Sequence, residues 1–146
     1  MSAVVRTARR MITRGMTGTH AAIYRISRGK VAGRMFNSPV LLLTTTGRKS
    51  GQERTTPLLY LEDGENLVVV ASVGGAPKHP DWYWNLKANP EARVEIEDRT
   101  LRVRAEEAKG EEKRRLWALL VMMYPPYEDY QRRTEREIPV FVLHPL

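Results

Sequence analysis

The chain has 146 residues, no cysteine and a formal net charge of +7. That length suits one hydrophobic core rather than two. The lack of cysteine excludes disulfides, thiolate metal ligands and a cysteine nucleophile, and fits a reducing cytoplasm. No apolar run approaches the roughly 18 residues of a membrane-spanning helix. The charge is one-sided: the first acid is Glu53, and residues 1–52 hold ten Arg and Lys. Such an excess attracts phosphates, anionic lipid or nucleic acid, and does not by itself choose among them.

Residues 1–16 place Val4, Val5, Ala8, Met11, Ile12 and Met16 on one helical face and Arg6, Arg9, Arg10 and Arg14 on the other. This is the pattern of an amphipathic basic helix, suited either to an anionic membrane surface or to covering the barrel. A short helix is expected over 21–27, then a basic link through Arg34. The expected division is therefore a basic helical segment and link over 1–34 and a globular domain over 35–146.

Strands are expected over 39–46, 54–61 and 67–71, with a glycine-bounded turn over 47–52 and an Asp63-Gly64 turn between the second and third. Residues 80–88 read as a short helix, because proline suits a first turn and Trp82 and Leu86 stand at i,i+4. Alternation returns at 94–96 and 101–105 around an Asp98-Arg99 turn. A helix over 110–123 carries Leu116, Leu119, Leu120 and Met123 on one face. After Pro125-Pro126 a short helix bears Tyr127 and Tyr130, and residues 138–143 form a closing strand. These elements suggest an α+β fold, a mostly antiparallel β-barrel of about six strands with peripheral helices, because closure removes exposed edges.

Several motifs carry two readings. The 47–52 turn is either an anion cradle of exposed N–H groups with Arg48, Lys49 and Ser50, or a solvated hairpin tip. Ser72-Val73-Gly74-Gly75 follows a buried strand and is either a close approach to a ring or phosphate, or an exit loop. Trp82, Tyr83, Trp84 and Asn85 line a pocket or pack the core. Tyr124, Tyr127 and Tyr130, three apart, frame an apolar pocket or a packing face. His20, His79 and His144 have no metal-ligand spacing, so no metal is expected. No Walker loop, dinucleotide fingerprint or GxSxG element is present.

Several separated blocks extend over roughly residues 20–146: the run 41–51, then Arg54 with Thr56-Pro57-Leu58, Ala71-Ser72 with the 74–78 stretch, Trp82-Tyr83 with 85–90, and finally Tyr124-Pro125, 127–131 and Ile138-Pro139-Val140. Together they resemble the deazaflavin-dependent nitroreductase family of actinobacterial reductases that use coenzyme F420, also described as quinone reductases. The resemblance implies a split barrel holding reduced F420 as hydride donor. Arg48, Lys49, Ser50 and Arg54 would meet its anionic tail. Thr55, Thr56, Pro57, Leu58, Leu59, Val70, Ala71, Ser72, Val73, Asp81, Trp82, Tyr83, Trp84, Asn85 and Tyr127 would stand near its ring and phosphate. Tyr124, Tyr127 and Tyr130 would close over ring and acceptor, with a tyrosine or water supplying the proton.

The implied acceptor is a small molecule: a quinone, an activated alkene or a nitro compound. Leu59 and Val73 depart from the residues of the prodrug-activating member, which turns the expectation toward quinones and activated alkenes. A monomer is expected, cytoplasmic and peripheral at the inner face of the cell membrane through its N-terminal helix, with no nucleic-acid partner.

Overall fold

Leu41 and Leu43 point into one core while Leu42 between them is buried on the opposite side of the same strand, the two-residue period of a strand covered on both faces. The computed structural model describes residues 34–35 and 38–146. The expected helices over 1–16 and 21–27 lie outside the described residues.

The described chain runs β1 (Arg34–Met35), β2 (Ser38–Thr46), β3 (Glu53–Leu59), β4 (Leu61–Asp63), β5 (Asn66–Val70), a 3-10 turn (Val73–Gly75), α1 (Asp81–Ala88), β6 (Glu91–Ile96), β7 (Arg99–Glu107), α2 (Gly110–Met123), α3 (Pro126–Arg132) and β8 (Val140–Pro145). All recorded strand pairs are antiparallel. The sheet order is β1-β2-β6-β7-β8-β5-β4, with β3 also paired to β2. Only Tyr60 separates β3 from β4, although they sit at opposite ends of that order. The sheet therefore has to curl until its ends meet, which is the split barrel.

Three details differ from the sequence expectation. The strand expected over 54–61 breaks at Tyr60, whose N–H donates to Pro39 O at 3.1 Å as the chain leaves β2 to join β5. With this break and the two-residue β1, the sheet has eight strands rather than six. The boundary drawn between residues 34 and 35 falls inside β1, where Arg34 pairs with Pro39. The hairpin turn between β6 and β7 is Glu97-Asp98, one residue earlier than expected, and Glu97 takes a positive φ of 54°.

The barrel interior holds Leu41, Leu43, Leu67, Val69, Val94, Val103, Phe141 and Leu143, plugged at one end by Trp82, Tyr83 and Leu86 of α1. The other face of β5 and β8 offers Val68, Val70, Val140 and Val142 to Leu116 and Leu120 of α2 and to Tyr124 and Tyr127. Continuous apolar runs in these two strands thus serve two cores, odd residues one and even residues the other. That double service places the end of β5 and the start of α3 side by side.

Candidate functional site

Where β5 ends, the chain passes through Ser72 into the 3-10 turn, with Val73 at φ 45° and Gly74 at φ 60°. Positive φ at a β-branched residue is unusual and needs external support. Much of it comes from Arg136, a residue absent from the sequence expectations. Its Nε donates to Ala76 O at 2.8 Å and its Nη2 to Ser72 O at 2.7 Å. Nη1 donates to Ala71 O at 3.1 Å and to His79 Nδ1 at 3.0 Å. Arginine has no acceptor, so His79 Nδ1 is unprotonated. Burial first, then the Arg136 charge, lowers the His79 pKa, while Glu107 raises it. The His79 ring stacks on Tyr83 with centroids 4.1 Å apart. No local signal marks Arg136, because its partners stand some 60 residues earlier in the chain.

The tyrosines form the facing wall. Tyr124 caps α2 by donating its N–H to Leu120 O, and Pro126 starts α3, setting Tyr127 and Tyr130 on the next turn. The Tyr124 and Tyr130 hydroxyls lie 2.9 Å apart. Tyr127 stacks edge-on against Tyr124 at 4.9 Å between centroids. Tyr127 is only 4% exposed, and its hydroxyl makes no hydrogen bond among the described residues. Burial raises the pKa of both Tyr124 and Tyr127 well above the ordinary phenol value. Both hydroxyls therefore stay protonated near neutral pH, so each has a proton to donate; in the Tyr124–Tyr130 pair either oxygen can be the donor.

Between the walls lies a cleft of about 150 Å³. Of the expected site residues it brings together Pro57, Leu58, Leu59, Val70, Ser72, Val73, Trp82, Tyr124, Tyr127 and Tyr130, joined by Gly74 and Pro80. Pockets that enclose a drug-sized ligand measure roughly 300–1,000 Å³. This cleft can enclose part of a large ligand, with the rest left at the surface. A larger groove of about 870 Å³ follows Lys113, Trp117 and Val121 of α2 to Glu128 and Glu137. It contains none of the expected site residues, whereas the smaller cleft has the convergent phenols and the positive-φ loop, which makes the smaller cleft the candidate site.

The remaining expected residues do not line the cleft. Lys49, Ser50 and Arg54 are exposed on the 47–52 turn and its flank. Arg48 is already engaged: its N–H and Nη1 donate to Asn85 Oδ1 at 3.1 and 3.0 Å, and Nη2 lies 3.5 Å from Asp81. Asn85 in turn donates from Nδ2 to Thr45 Oγ1 at 3.1 Å, riveting α1 to β2 and the turn. Thr55 pairs with Thr44 through their hydroxyls at 2.7 Å. Thr56, Ala71 and Tyr83 are buried beside the cleft, and Trp84 faces outward at 44% exposure. Among the described residues no group of His, Asp and Glu could hold a metal. No described helix is long and apolar enough to cross a membrane.

Residues 16–145 match the family described as F420H(2)-dependent quinone reductase. The chain belongs to that family. It is 42% identical over 128 residues to an F420H(2)-dependent quinone reductase of Mycobacterium tuberculosis, spanning 85% of this chain and 86% of the relative. A solved F420-H2-dependent reductase is 48% identical, covering 73% of this chain and 94% of its own, with a TM-score of 0.68. A second solved structure, described as a domain-swapped dimer, is 42% identical over 86% of this chain and 95% of its own, with a TM-score of 0.70. The expectation of a monomer finds no support there. As a member of the quinone reductase family the protein is an oxidoreductase whose hydride donor is reduced F420. The cleft fits part of such a cofactor: apolar and aromatic walls for a ring, the unpartnered Tyr127 hydroxyl for a ring or acceptor oxygen, and exposed cations on the 47–54 stretch for an anionic tail.

Proposed function

We propose that the 35–146 domain binds reduced F420 across this cleft and reduces quinones, with activated alkenes as a second acceptor class and nitro compounds as a third. The observation that carries this reading is Tyr127, whose ring is buried against the other tyrosines and whose protonated hydroxyl, making no hydrogen bond among the described residues, belongs to a side chain that lines the cleft opposite the loop at the end of β5. Bound F420 supplies a hydride, which it delivers without needing an acid–base triad in the protein.

The protein's own residues position and solvate the reaction. Residues 57–59, Val70, residues 72–74 and Trp82 take the ring, with Thr55, Thr56, Ala71, Asp81, Tyr83, Trp84 and Asn85 supporting them or approaching the phosphate. Lys49 and Arg54, with Ser50 and Arg48 beside them, meet the tail through charge-assisted hydrogen bonds. Reduction of a quinone leaves negative charge on its oxygen. Tyr127 donates to that oxygen, and when Tyr124 donates to Tyr130 the Tyr130 proton is directed to it as well. Aromatic walls around the phenols exclude water from the transfer while leaving the proton to be replaced from solvent.

The acid-free segment over residues 1–52 favours residence at an anionic membrane surface, where lipid-soluble quinones partition. Flotation with anionic and neutral vesicles tests that part separately. The central experiment is binding of F420, FMN and NADPH followed by steady-state oxidation of reduced F420 with menadione. Selective F420 binding with turnover is expected. Binding without turnover makes the protein a deazaflavin carrier, and equal affinity for FMN removes the tail contacts from the account.

A further inference from the structure

Arg136 touches both walls of the cleft in different ways. Its guanidinium uses four of five N–H donors on one wall, three of them on the main-chain oxygens of Ala71, Ser72 and Ala76. Its main chain is held by the other wall: Gln131, on α3, donates from Nε2 to Arg136 O at 2.8 Å and accepts from Ile138 N–H at 2.9 Å. Gly75 then packs directly on Tyr130, leaving no space for a side chain. Hydrogen bonds from a charged, half-buried donor to main-chain oxygens are stronger than neutral ones, and the planar fork fixes direction as well as distance.

We propose that Arg136 is a positioning residue: by bracing the loop after β5 with its guanidinium and α3 with its main chain, it sets the separation of the two walls between which ring and acceptor meet. This rests on the reading of the cleft as the deazaflavin site. Arg136 does not touch the cleft itself. Its contribution is alignment, and an error of about 1 Å in alignment costs on the order of 100-fold in rate. A lysine keeps the charge but cannot reproduce the fork, so it separates charge from geometry.

The test compares wild type, Arg136→Lys, Arg136→Ala and Val94→Ala, a barrel-core variant on β6 that does not line the cleft and is expected to lower melting temperature. Hydrogen exchange of the cofactor-free protein should show faster exchange in both 72–76 and 127–131 for Arg136→Lys, with neither segment changed in Val94→Ala. F420 affinity, read by its fluorescence, should fall at least tenfold in Arg136→Lys and more in Arg136→Ala, with partial recovery of Arg136→Ala on adding methylguanidinium. At saturating cofactor, kcat with menadione should also fall, while Val94→Ala stays within twofold of wild type on both measures. Unchanged exchange in either segment of Arg136→Lys, or cofactor affinity and kcat that merely track melting temperature across all variants, overturns the proposal. Failure of wild type to bind F420 overturns the functional reading instead, and the exchange result still decides the bracing role.

Discussion

A Cβ placed on Gly75 would lie 2.6 Å from the carbonyl oxygen of Tyr130. The 3-10 turn and α3 are therefore in backbone contact, and only glycine allows it. Gly74, one residue earlier, shares the positive φ but has open space around it. Both Gly74→Ala and Gly75→Ala incur the left-handed cost of roughly 1–2 kcal/mol. Gly75→Ala adds an overlap worth about 1–3 kcal/mol. Urea unfolding should rank wild type above Gly74→Ala above Gly75→Ala. Equal stability of the two variants would mean that the turn can retreat from α3.

Tyr127→Phe should separate activity from stability. The lost hydroxyl has no partner among the described residues, so melting temperature should hold or rise slightly. Turnover of menadione should fall by about 100-fold, the lower part of the range for removing one donor to a developing oxyanion. Tyr124→Phe breaks the hydroxyl pair with Tyr130 and should cost about 1 kcal/mol of stability as well. Wild-type turnover in Tyr127→Phe would make that ring a packing element.

The basic turn divides its labour. Lys49 is exposed and not bonded to α1, whereas Arg48 ties the turn to Asn85. Lys49→Ala should weaken F420 binding at low salt, lose that effect in high salt, and leave melting unchanged. Arg48→Ala should lower melting temperature in every salt concentration, because it removes the guanidinium hydrogen bond to the buried Asn85 amide and leaves only the main-chain N–H bond to the same oxygen. Identical behaviour of the two variants would refute the division.

His79 imposes a pH dependence of known sign. Burial first and the Arg136 guanidinium second hold its folded-state pKa below the ordinary 6.5, against the opposing pull of Glu107; Tyr83 and Trp84 are its aromatic neighbours. The unfolded chain takes up the proton first, so the stabilising effect is complete above about pH 6.5 and declines as pH falls toward the lower folded value. Denaturant midpoints should fall more steeply with acid in wild type than in His79→Gln, which keeps an acceptor that does not titrate. Parallel curves would assign the acid sensitivity to other groups.

The sheet was largely readable from residue patterns, because a strand covered on one face alternates and one covered on both does not. β7 with Leu101, Val103 and Ala105 shows the first, and β5 the second. Helix α2 begins and ends at the residues its periodicity indicates. The break at Tyr60 was not readable: the 53–63 stretch has one uniform strand character, and only closure of the barrel makes the chain change partners there. Of the cleft, the tyrosine spacing and the glycine turn were visible as motifs, although neither revealed that they face each other. Arg136 was invisible because its role consists of main-chain oxygens, which no side-chain pattern encodes. Arg48 looked available for a ligand because its type is visible in sequence and its engagement with Asn85 is not.

β5 and β8 each present alternate residues to two different cores, and this constrains how such a protein can vary in length. A single-residue insertion in either strand would exchange the barrel-facing and helix-facing sets beyond that point, delivering Val69 to α2 and Val68 to the barrel. Only substitutions, or changes placed in the connecting loops, leave both cores intact. On the proposed reading of the cleft as the cofactor and acceptor site, new acceptor preferences are open to point changes at strand ends such as Leu59 and at the loop after β5, around Val73, where the cleft can change shape without shifting the frame behind it.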